Sequence, residues 1–275
     1  MQTTHPILLL NRPYAAEANE RQTFDLAIPA GASGSAGLVL CIHGGGWVEG
    51  SKEPYAEDLR RMSAERGVAA AAVNYRYLSE TVGFDGILDD ITAALAAIRA
   101  EGINRGVVFD RALLTGVSAG GHLSLLYAYT KRDTAPIKPV CVAELCGPAD
   151  LEDRFYYFEG EGAAQGITSW ICNIIGLGVG QTVSPDALDA ARGALRRYSP
   201  INYVDEKSVP TVFGHGERDD IVPLRNAIDL DRKLAACGVE HTFVSFPNSG
   251  HGCEDKNSMH KFMELFFACA ERYLK

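Results

Sequence analysis

A serine within a run of small residues is the first feature of the sequence that could carry out chemistry. Residues 116–120 read G-x-S-x-G with Ser118 at the centre, after an apolar strand pattern over 112–117 and before a helical pattern that starts at Gly121. In this context the chain turns sharply and exposes the serine hydroxyl, because small neighbours avoid side-chain clashes. The N-terminus of the helix adds partial positive charge. The pattern predicts Ser118 as the nucleophile of an acyl transfer; a tight structural turn is the alternative.

A second glycine-rich segment could bind the oxyanion that such a reaction forms. Residues 43–47 read HGGGW and directly follow a predicted strand over 38–42. Glycines let the backbone turn its N–H groups toward a developing negative charge, so we expect Gly44, Gly45 and Ala119 to form an oxyanion hole. A phosphate-binding loop is the alternative, but the sequence contains neither G-x-x-x-x-G-K-[ST] nor G-x-G-x-x-G. We expect the histidine of HGGGW to order the loop rather than to act as a base.

A serine nucleophile needs a base, and His251 is the best placed of the seven histidines. It lies on a loop of small residues, NSGHG over 248–252, between the last predicted strand and the terminal helix. We expect the remaining histidines to be structural or peripheral; they are His5, His43, His122, His215, His241 and His260.

The acid that orients this base should lie between Ser118 and His251 in the chain, at the end of the penultimate strand. Residues 214–223 read GHGERDDIVP there. We prefer Asp219, with Asp220 left open. The carboxylate would orient the imidazole and stabilise the imidazolium. The chain order Ser, Asp, His differs from the orders in chymotrypsin and subtilisin.

Strand and helix patterns alternate along the chain and would position these side chains. Apolar, β-branched runs predict seven strands, over 23–28, 38–42, 68–75, 112–117, 140–145, 210–214 and 242–246. Amphipathic helices are predicted over 85–99 and near the end, where apolar residues recur from Phe262 to Tyr273. Parallel strands need helical crossovers, so the sequence predicts an α/β fold with a mostly parallel central sheet and helices on both faces.

One segment, 152–198, breaks the alternation. It contains no convincing strand and mixes glycines with aromatic residues, including Phe158 and Trp170. We expect a single domain over 1–275, with 152–198 inserted over the sheet as a helical cap or lid. Trp47 and Trp170 would then be substrate-binding residues. The alternative is a structural excursion whose aromatic side chains only pack against one another.

Length and composition limit the remaining possibilities. The 275 residues are 47% apolar and 22% charged, which suits a large domain and excludes disorder. The net charge of −9 disfavours a nucleic-acid partner, and no apolar run suits a membrane span. Seven cysteines without a CxxC pair, and no recognisable export signal, predict a cytoplasmic protein with reduced thiols.

These residues together resemble the α/β-hydrolase fold, and within it the esterases and lipases related to hormone-sensitive lipase and the carboxylesterases with an HGGGW motif. Besides HGGGW and GVSAGGH, the resemblance covers NYR at 74–76, GPADL at 147–151 and SPINY at 199–203. The family pattern HGxxDxxVP matches 215–223 and selects Asp219 over Asp220.

The resemblance implies a serine carboxylesterase that needs no metal or organic cofactor. Its substrates would be small esters with short or aromatic acyl groups, including feruloyl or acetyl groups on plant polysaccharide. An amidase or peptidase of the same fold, such as a formamidase, is the alternative. A small-molecule receptor on this scaffold should lack a triad residue, whereas Ser118, Asp219 and His251 are all present.

Overall fold

One eight-stranded sheet organises the chain, whose computed structural model describes residues 5–16, 19–157 and 167–275. The strands are β1 (Ile7–Pro13), β2 (Thr23–Ile28), β3 (Gly34–Ile42), β4 (Ala69–Val73), β5 (Val107–Val117), β6 (Lys138–Leu145), β7 (Thr211–Gly216) and β8 (His241–Phe246). Their order is β1-β2-β4-β3-β5-β6-β7-β8. The pairs β1–β2 and β2–β4 are antiparallel and the others are parallel. The predicted mostly parallel sheet is confirmed.

Helices cover both faces of this sheet. In the described part of the chain they are α1 (Ala56–Arg66), α2 (Phe84–Ile103), α3 (Ala119–Lys131), α4 (Ile167–Val179), α5 (Leu188–Arg197), α6 (Arg225–Ala236) and α7 (Lys256–Leu274). Successive side chains of a strand point to opposite faces. Leu38, Leu40 and Ile42 of β3 therefore pack with α2 and α3, whereas Val39 and Cys41 pack with α1 and α7. None of the helices described is long and apolar enough to cross a bilayer.

The parallel strands end at one edge of the sheet. Ile42 at the end of β3 lies opposite Gly116 of β5, and Gly216 at the end of β7 pairs with Phe246 of β8. In open α/β sheets, ligands bind outside the carboxyl ends of the strands. The segments that follow these ends carry HGGGW, Ser118, Asp219 and His251, so the fold brings the predicted site residues to one edge.

All seven predicted strands are present, although their ends differ by a few residues. The largest difference is β5, which begins at Val107 rather than at residue 112. The sequence does not predict β1, because its residues ILLLNRP place apolar side chains on both faces. Leu8 and Leu10 are exposed on this edge strand, and the register with β2 shifts between Leu9 and Arg12.

The segment 152–198 contains helices and, within its described residues, no strand. A 3-10 helix covers Arg154–Tyr156, and α4, a 3-10 helix over Pro185–Ala187 and α5 follow. Phe158 falls in 158–166, outside the described residues. The role of the segment as a cap stays a prediction.

Candidate active site

Ser118 lies at the sharp turn between β5 and α3. Its backbone has φ 57° and ψ −122°, a conformation that residues other than glycine rarely adopt. The Ser118 N–H donates to Leu145 O at 2.8 Å, which holds the turn against β6. A Cβ on Gly116 or Gly120 would lie 2.5 or 2.0 Å from Ile42 O. Only glycine at these two positions lets the turn pack directly against the end of β3.

The HGGGW loop after β3 approaches this turn closely. A Cβ on Gly44 would lie 2.7 Å from Val117 O, and Gly45 and Gly46 have φ values of 104° and 54°. The three glycines line the same cavity as Ser118. The predicted oxyanion donors of the loop and the first residue of α3 therefore flank the serine.

His43 holds the loop through both nitrogens of its ring. Arg21 donates to Nε2 at 3.0 Å, so Nδ1 carries the proton and donates to Gly44 O at 2.8 Å. Burial lowers the pKa of His43 to about 4; the bond to Gly44 opposes this shift and the charge of Arg21 adds to it. The two ends of a trans peptide point in opposite directions. The bond to Gly44 O therefore turns the Gly45 N–H away from His43.

Lys52, just beyond the loop, is a buried cation that sequence analysis does not single out. Its Nζ lies 2.8 Å from Asp25 Oδ1 in β2 and donates to Asn11 Oδ1 in β1 at 2.6 Å. Its backbone N–H donates to Asn74 Oδ1 at 2.7 Å. These contacts join the first two strands to the chain that follows HGGGW.

His251 and Asp219 form a hydrogen-bonded pair, in which Nδ1 donates to Oδ2 at 2.7 Å. The other carboxylate oxygen accepts from the N–H groups of Ile221 and Val222, each at 2.9 Å. The Asp219 side chain is buried, whereas Asp220 is exposed. The structure thus places Asp219 beside the imidazole and Asp220 at the surface.

His215 is a second imidazole in contact with Asp219. Its Nε2 lies 2.8 Å from Val222 O and 3.3 Å from Asp219 Oδ2. Burial opposes ionisation of Asp219, but hydrogen bonds from His215 and His251 hold its pKa well below the ordinary value. Burial would likewise lower the pKa of His251, but Asp219 and Cys146 raise it above 6.5. The pair is therefore arranged to stabilise an imidazolium.

Ser118, His251 and the HGGGW loop face one cavity of about 430 Å³. Most of its wall is apolar, although Glu49 also lines it; the apolar and aromatic side chains of the lining are Trp47, Val117, Pro148, Leu151, Tyr156, Trp170, Ile171, Ile175, Ile221 and Val222. Sites of this size and polarity bind small molecules. The structure therefore brings the predicted nucleophile, base and oxyanion donors to a single small-molecule cavity.

The two predicted substrate-binding tryptophans both line this cavity but differ in exposure. Trp47 is 6% exposed, and its Nε1–H donates to His122 Nδ1 at 3.2 Å. His122 in turn donates from Nε2 to Tyr198 O at 2.8 Å, and burial lowers its pKa to about 4. Trp170 of α4 is 47% exposed, and a Cβ on Gly46 would lie 2.9 Å from its Cη2. Trp47 is thus a fixed wall, while Trp170 is an accessible one above the HGGGW loop.

Glu144, at the end of β6, is a buried acid that no sequence motif identifies. Its Oε2 accepts from the Gly147 N–H at 2.7 Å, and a Cβ on Gly121 would lie 2.4 Å from the same oxygen. Burial, opposed by the bond from Gly147, raises the pKa of Glu144 to about 8. The side chain is therefore a neutral carboxylic acid below that pH, wedged against the first turn of α3.

Among the described residues, one group of side chains has metal-ligand geometry. Cys146, His215 and Asp219 place their ligand atoms within 4.8 Å of one another. The Asp219 carboxylate already accepts bonds from His251 and from two backbone N–H groups. The carboxylate of this cluster therefore already serves the His251–Asp219 pair.

A protein-family model matches the sequence over most of the chain. The BD-FAE model covers residues 24–234, a range that includes HGGGW, Ser118 and Asp219. The chain belongs to the BD-FAE family. The predicted resemblance to α/β-hydrolase esterases is thereby confirmed, and His251 lies beyond the matched range of the BD-FAE model.

Curated relatives of this BD-FAE chain include two proteins of Mycobacterium tuberculosis. The chain is 39% identical over 101 residues to the probable carboxylic ester hydrolase LipM, a match covering 37% of this chain and 23% of that protein. It is 25% identical over 225 residues to esterase LipC, covering 78% and 52%. The chain thus spans about half or less of the length of these relatives.

Solved structures confirm the α/β-hydrolase fold of the BD-FAE chain. A truncated carbohydrate esterase from gut microbiota matches with a TM-score of 0.74 at 20% identity, over 98% of each chain. The butyrate-bound esterase Est2 of Thermogutta terrifontis matches with a TM-score of 0.68 at 20% identity, over 94% of this chain and 92% of that one.

Proposed function

We propose that the chain is a serine carboxylesterase that acts through an acyl-enzyme. The observation that carries the proposal is the convergence of Ser118, the His251–Asp219 pair and the HGGGW loop on one apolar cavity. Each group has the chemistry that acyl transfer needs: a nucleophile at a strained turn, an oriented base and backbone donors for an oxyanion.

The reaction follows from these positions. Ser118 Oγ attacks the ester carbonyl while Nε2 of His251 takes its proton, because Nδ1 is committed to Asp219. The N–H groups of Gly44, Gly45 and Ala119 stabilise the oxyanion. His251 then protonates the leaving alcohol, and a water molecule activated by the same imidazole hydrolyses the acyl-enzyme. Apart from the ester and this water, the groups that take part are side chains and backbone N–H groups of the chain.

The substrates we propose are small esters with short or aromatic acyl groups. The mostly apolar lining and the volume of about 430 Å³ suit a short or flat acyl group. The carbohydrate esterase and the butyrate-bound esterase among the structural relatives support short acyl groups, including groups linked to sugars.

The test is turnover of p-nitrophenyl acetate, butyrate, octanoate and ferulate, with Ser118→Ala from the same preparation as the control. We expect turnover of the short and aromatic esters, and its loss in the variant. Equal inactivity of both proteins on every ester would overturn the proposal. Turnover of anilides with the same dependence on Ser118 would then indicate an amide hydrolase.

We propose that 152–198 caps the cavity and that Trp170 selects the acyl group. The Trp170 ring lies above Gly46, and the segment also supplies Tyr156, Ile171 and Ile175 to the cavity lining, with Leu151 at its border. Trp170→Ala should raise kcat/KM for octanoate relative to acetate. The exposed Met263 of α7, remote from the cavity lining, provides the control variant Met263→Ala. An unchanged preference in Trp170→Ala would refute the assignment.

A cytoplasmic location stays part of the proposal. Seven cysteines without a CxxC pair support a reducing compartment. Cell fractionation with an antibody to the chain tests this location.

A further inference from the structure

Two cysteines far apart in sequence meet beneath the loop that carries His251. The sulfurs of Cys146 and Cys253 lie 3.0 Å apart, and the residues are 107 positions apart in the chain. Both side chains are buried, at 0% and 3% exposure. A disulfide bond is about 2.05 Å long. An approach of roughly 1 Å would therefore join the two sulfurs covalently.

The backbone at both positions is unusual for cysteine. Cys146 and Cys253 have φ values of 53° and 51°, in the left-handed region that favours glycine. The Cys146 N–H donates to Gly214 O in β7 at 2.8 Å, and the Cys253 N–H donates to Gly250 O at 3.2 Å. A glycine would adopt either conformation with less strain. The backbone conformation at these two turns therefore does not account for a cysteine at either position.

We propose that Cys146 and Cys253 are a site of reversible disulfide formation that controls the position of His251. Cys253 lies two residues after His251 on the same loop. Cys146 directly follows β6, and its thiol contributes to the raised pKa of the His251 imidazole. A bond between the two sulfurs would tie the His251 loop to the sheet and remove that thiol from the imidazole.

The oxidant is hydrogen peroxide, and the electrons balance in two steps. The Cys253 sulfur attacks one peroxide oxygen, the O–O bond breaks, and the thiol proton leaves with the other oxygen as water, giving a sulfenic acid. The Cys146 sulfur then attacks the Cys253 sulfur, the S–O bond breaks, and the Cys146 proton leaves with the hydroxyl as a second water. Two thiols are oxidised to one disulfide and the peroxide is reduced.

The surroundings of the two sulfurs determine which of them reacts with the peroxide first. Contact with Cys253 and burial raise the pKa of the Cys146 thiol, and Cys146 has no exposed surface. Cys253 retains slight exposure, and its neighbours His251 and Gly252 line the cavity. A small peroxide that enters the cavity therefore reaches Cys253 first.

Formation of the bond should lower turnover. Cys146 is held between two strands by its bond to Gly214, so the Cys253 loop makes the approach and displaces His251. A displacement of about 1 Å in an active site costs up to about a hundredfold in rate. We expect kcat to fall by about tenfold or more, with recovery on addition of dithiothreitol.

The experiment treats the whole chain with hydrogen peroxide and maps its cysteine peptides by mass spectrometry with and without dithiothreitol. We expect a cross-link between the peptides of Cys146 and Cys253, a higher unfolding temperature and reduced kcat. Cys253→Ser, with Cys253→Ala as a second variant, should keep its turnover under peroxide. The control variant is Cys237→Ser, which should respond to peroxide as the wild type does. Cys237 is half-buried at the C-cap of α6 and lies outside the cavity lining.

The two readouts separate this inference from the esterase proposal on which its kinetic part rests. The cross-link and the unfolding temperature need no substrate, so they hold or fail even if the chain hydrolyses no ester. No cross-linked peptide under conditions that oxidise Cys237 would overturn the disulfide. A cross-link with unchanged kcat, or equal loss of kcat in the Cys253 variants, would overturn control of His251.

Discussion

Neighbouring groups determine which ring nitrogen carries the proton in three histidines around the site. His43 donates from Nδ1 to Gly44 O, whereas His122 accepts at Nδ1 from Trp47. His251 donates from Nδ1 to Asp219, which leaves Nε2 for the serine proton. Burial keeps the first two neutral, while a buried carboxylate raises the pKa of the third. Of these three, His251 is thus the one suited to gain and lose a proton during turnover.

The Asp219 carboxylate should set the pH dependence of turnover. His251 acts as a base only when neutral, so activity should rise as the pH rises through its pKa, which Asp219 holds above 6.5. Asp219→Asn should lower kcat by about 10⁴-fold and shift the residual acid limb to lower pH. The measurement is kcat/KM against pH for p-nitrophenyl acetate.

The exposed neighbour supplies the control for this experiment. Asp220→Asn should leave both the rate and the profile near those of the wild type, because Asp220 lies at the surface. A large loss in Asp220→Asn together with a mild one in Asp219→Asn would contradict the assignment of the acid.

His43 should act on turnover through the orientation of the Gly44–Gly45 peptide. His43→Ala removes the donor to Gly44 O and frees the Gly45 N–H to turn, so kcat should fall by about a hundredfold with little change in KM. His43→Asn places an amide N–H near the position of Nδ1 and should recover part of the loss. Equal kcat values in the two variants would show that the hydrogen bond to Gly44 does not matter.

The motifs predict the side chains of the site better than the contacts that hold them. G-x-S-x-G, HGGGW and HGxxDxxVP each have a fixed local spacing, so the sequence is sufficient to identify Ser118, the glycines and Asp219 as candidates. Lys52 with Asp25, and Cys146 with Cys253, meet only after the strands have paired. Neither member of such a pair has a sequence pattern that reports its partner.

At the end of β6, close packing keeps the carboxyl group of Glu144 neutral. Glu144 lies between Gly121 of α3 and Gly147, where its Oε2 accepts one backbone hydrogen bond. The unfolded chain would release this proton near pH 4.5, but the folded chain releases it near pH 8. Between these values the folded state binds the extra proton, so this group makes the protein less stable as pH rises.

Glu144→Gln should remove this pH dependence. From about pH 5 to pH 8 the free energy of unfolding of the wild type should fall relative to that of the variant, by up to about 1.4 kcal/mol for each pH unit. Urea unfolding of both proteins at several pH values measures the difference. A parallel pH dependence of the two proteins would indicate that Glu144 is ionised in the folded state.

The elements themselves are predictable where the hydrophobic pattern has a single period. The strand β2 matches its predicted range, and α2 extends the predicted helix 85–99 in both directions. The pattern fails at β1, whose apolar residues lie on both faces of an edge strand. The hydrophobic pattern is also uninformative for 152–198, where helices supply part of the cavity wall. Hydrophobic periodicity does not determine the path of the chain in this segment.

Across the whole molecule, one buried ion pair connects the antiparallel edge of the sheet to the active-site loop. Lys52 contacts Asp25 in β2 and Asn11 in β1, and its own segment follows HGGGW. The Lys52 and Asp25 side chains are 1% and 4% exposed. Breaking such a pair leaves a buried charge without its partner, which is costlier than replacing both members.

Lys52→Met should therefore lower the free energy of unfolding by about 3–5 kcal/mol. The double variant Lys52→Met with Asp25→Asn should recover part of this loss, because it leaves no unpaired buried charge; Glu53, the other acid that contacts Lys52, is exposed. Lys275→Met, which removes an exposed partner of Glu271, should change stability by less than about 1 kcal/mol. Urea denaturation of the wild type and the three variants at one pH measures these free energies of unfolding. If Lys52→Met were no less stable than the double variant, the unpaired Asp25 charge would not be the cause of the loss.

The different surroundings of the two tryptophans give the chain a built-in optical signal. Trp47 is shielded and bonded to His122, whereas Trp170, in the lining of the same cavity, is 47% exposed. Because the chain has only these two indoles, its intrinsic emission reports on the cavity. A bound acyl group should shield Trp170 from water and shift the emission to shorter wavelength, and Trp170→Phe should abolish that shift. In Trp170→Phe the remaining emission comes from Trp47, which is buried and bonded to His122, so it should shift to longer wavelength when the chain unfolds.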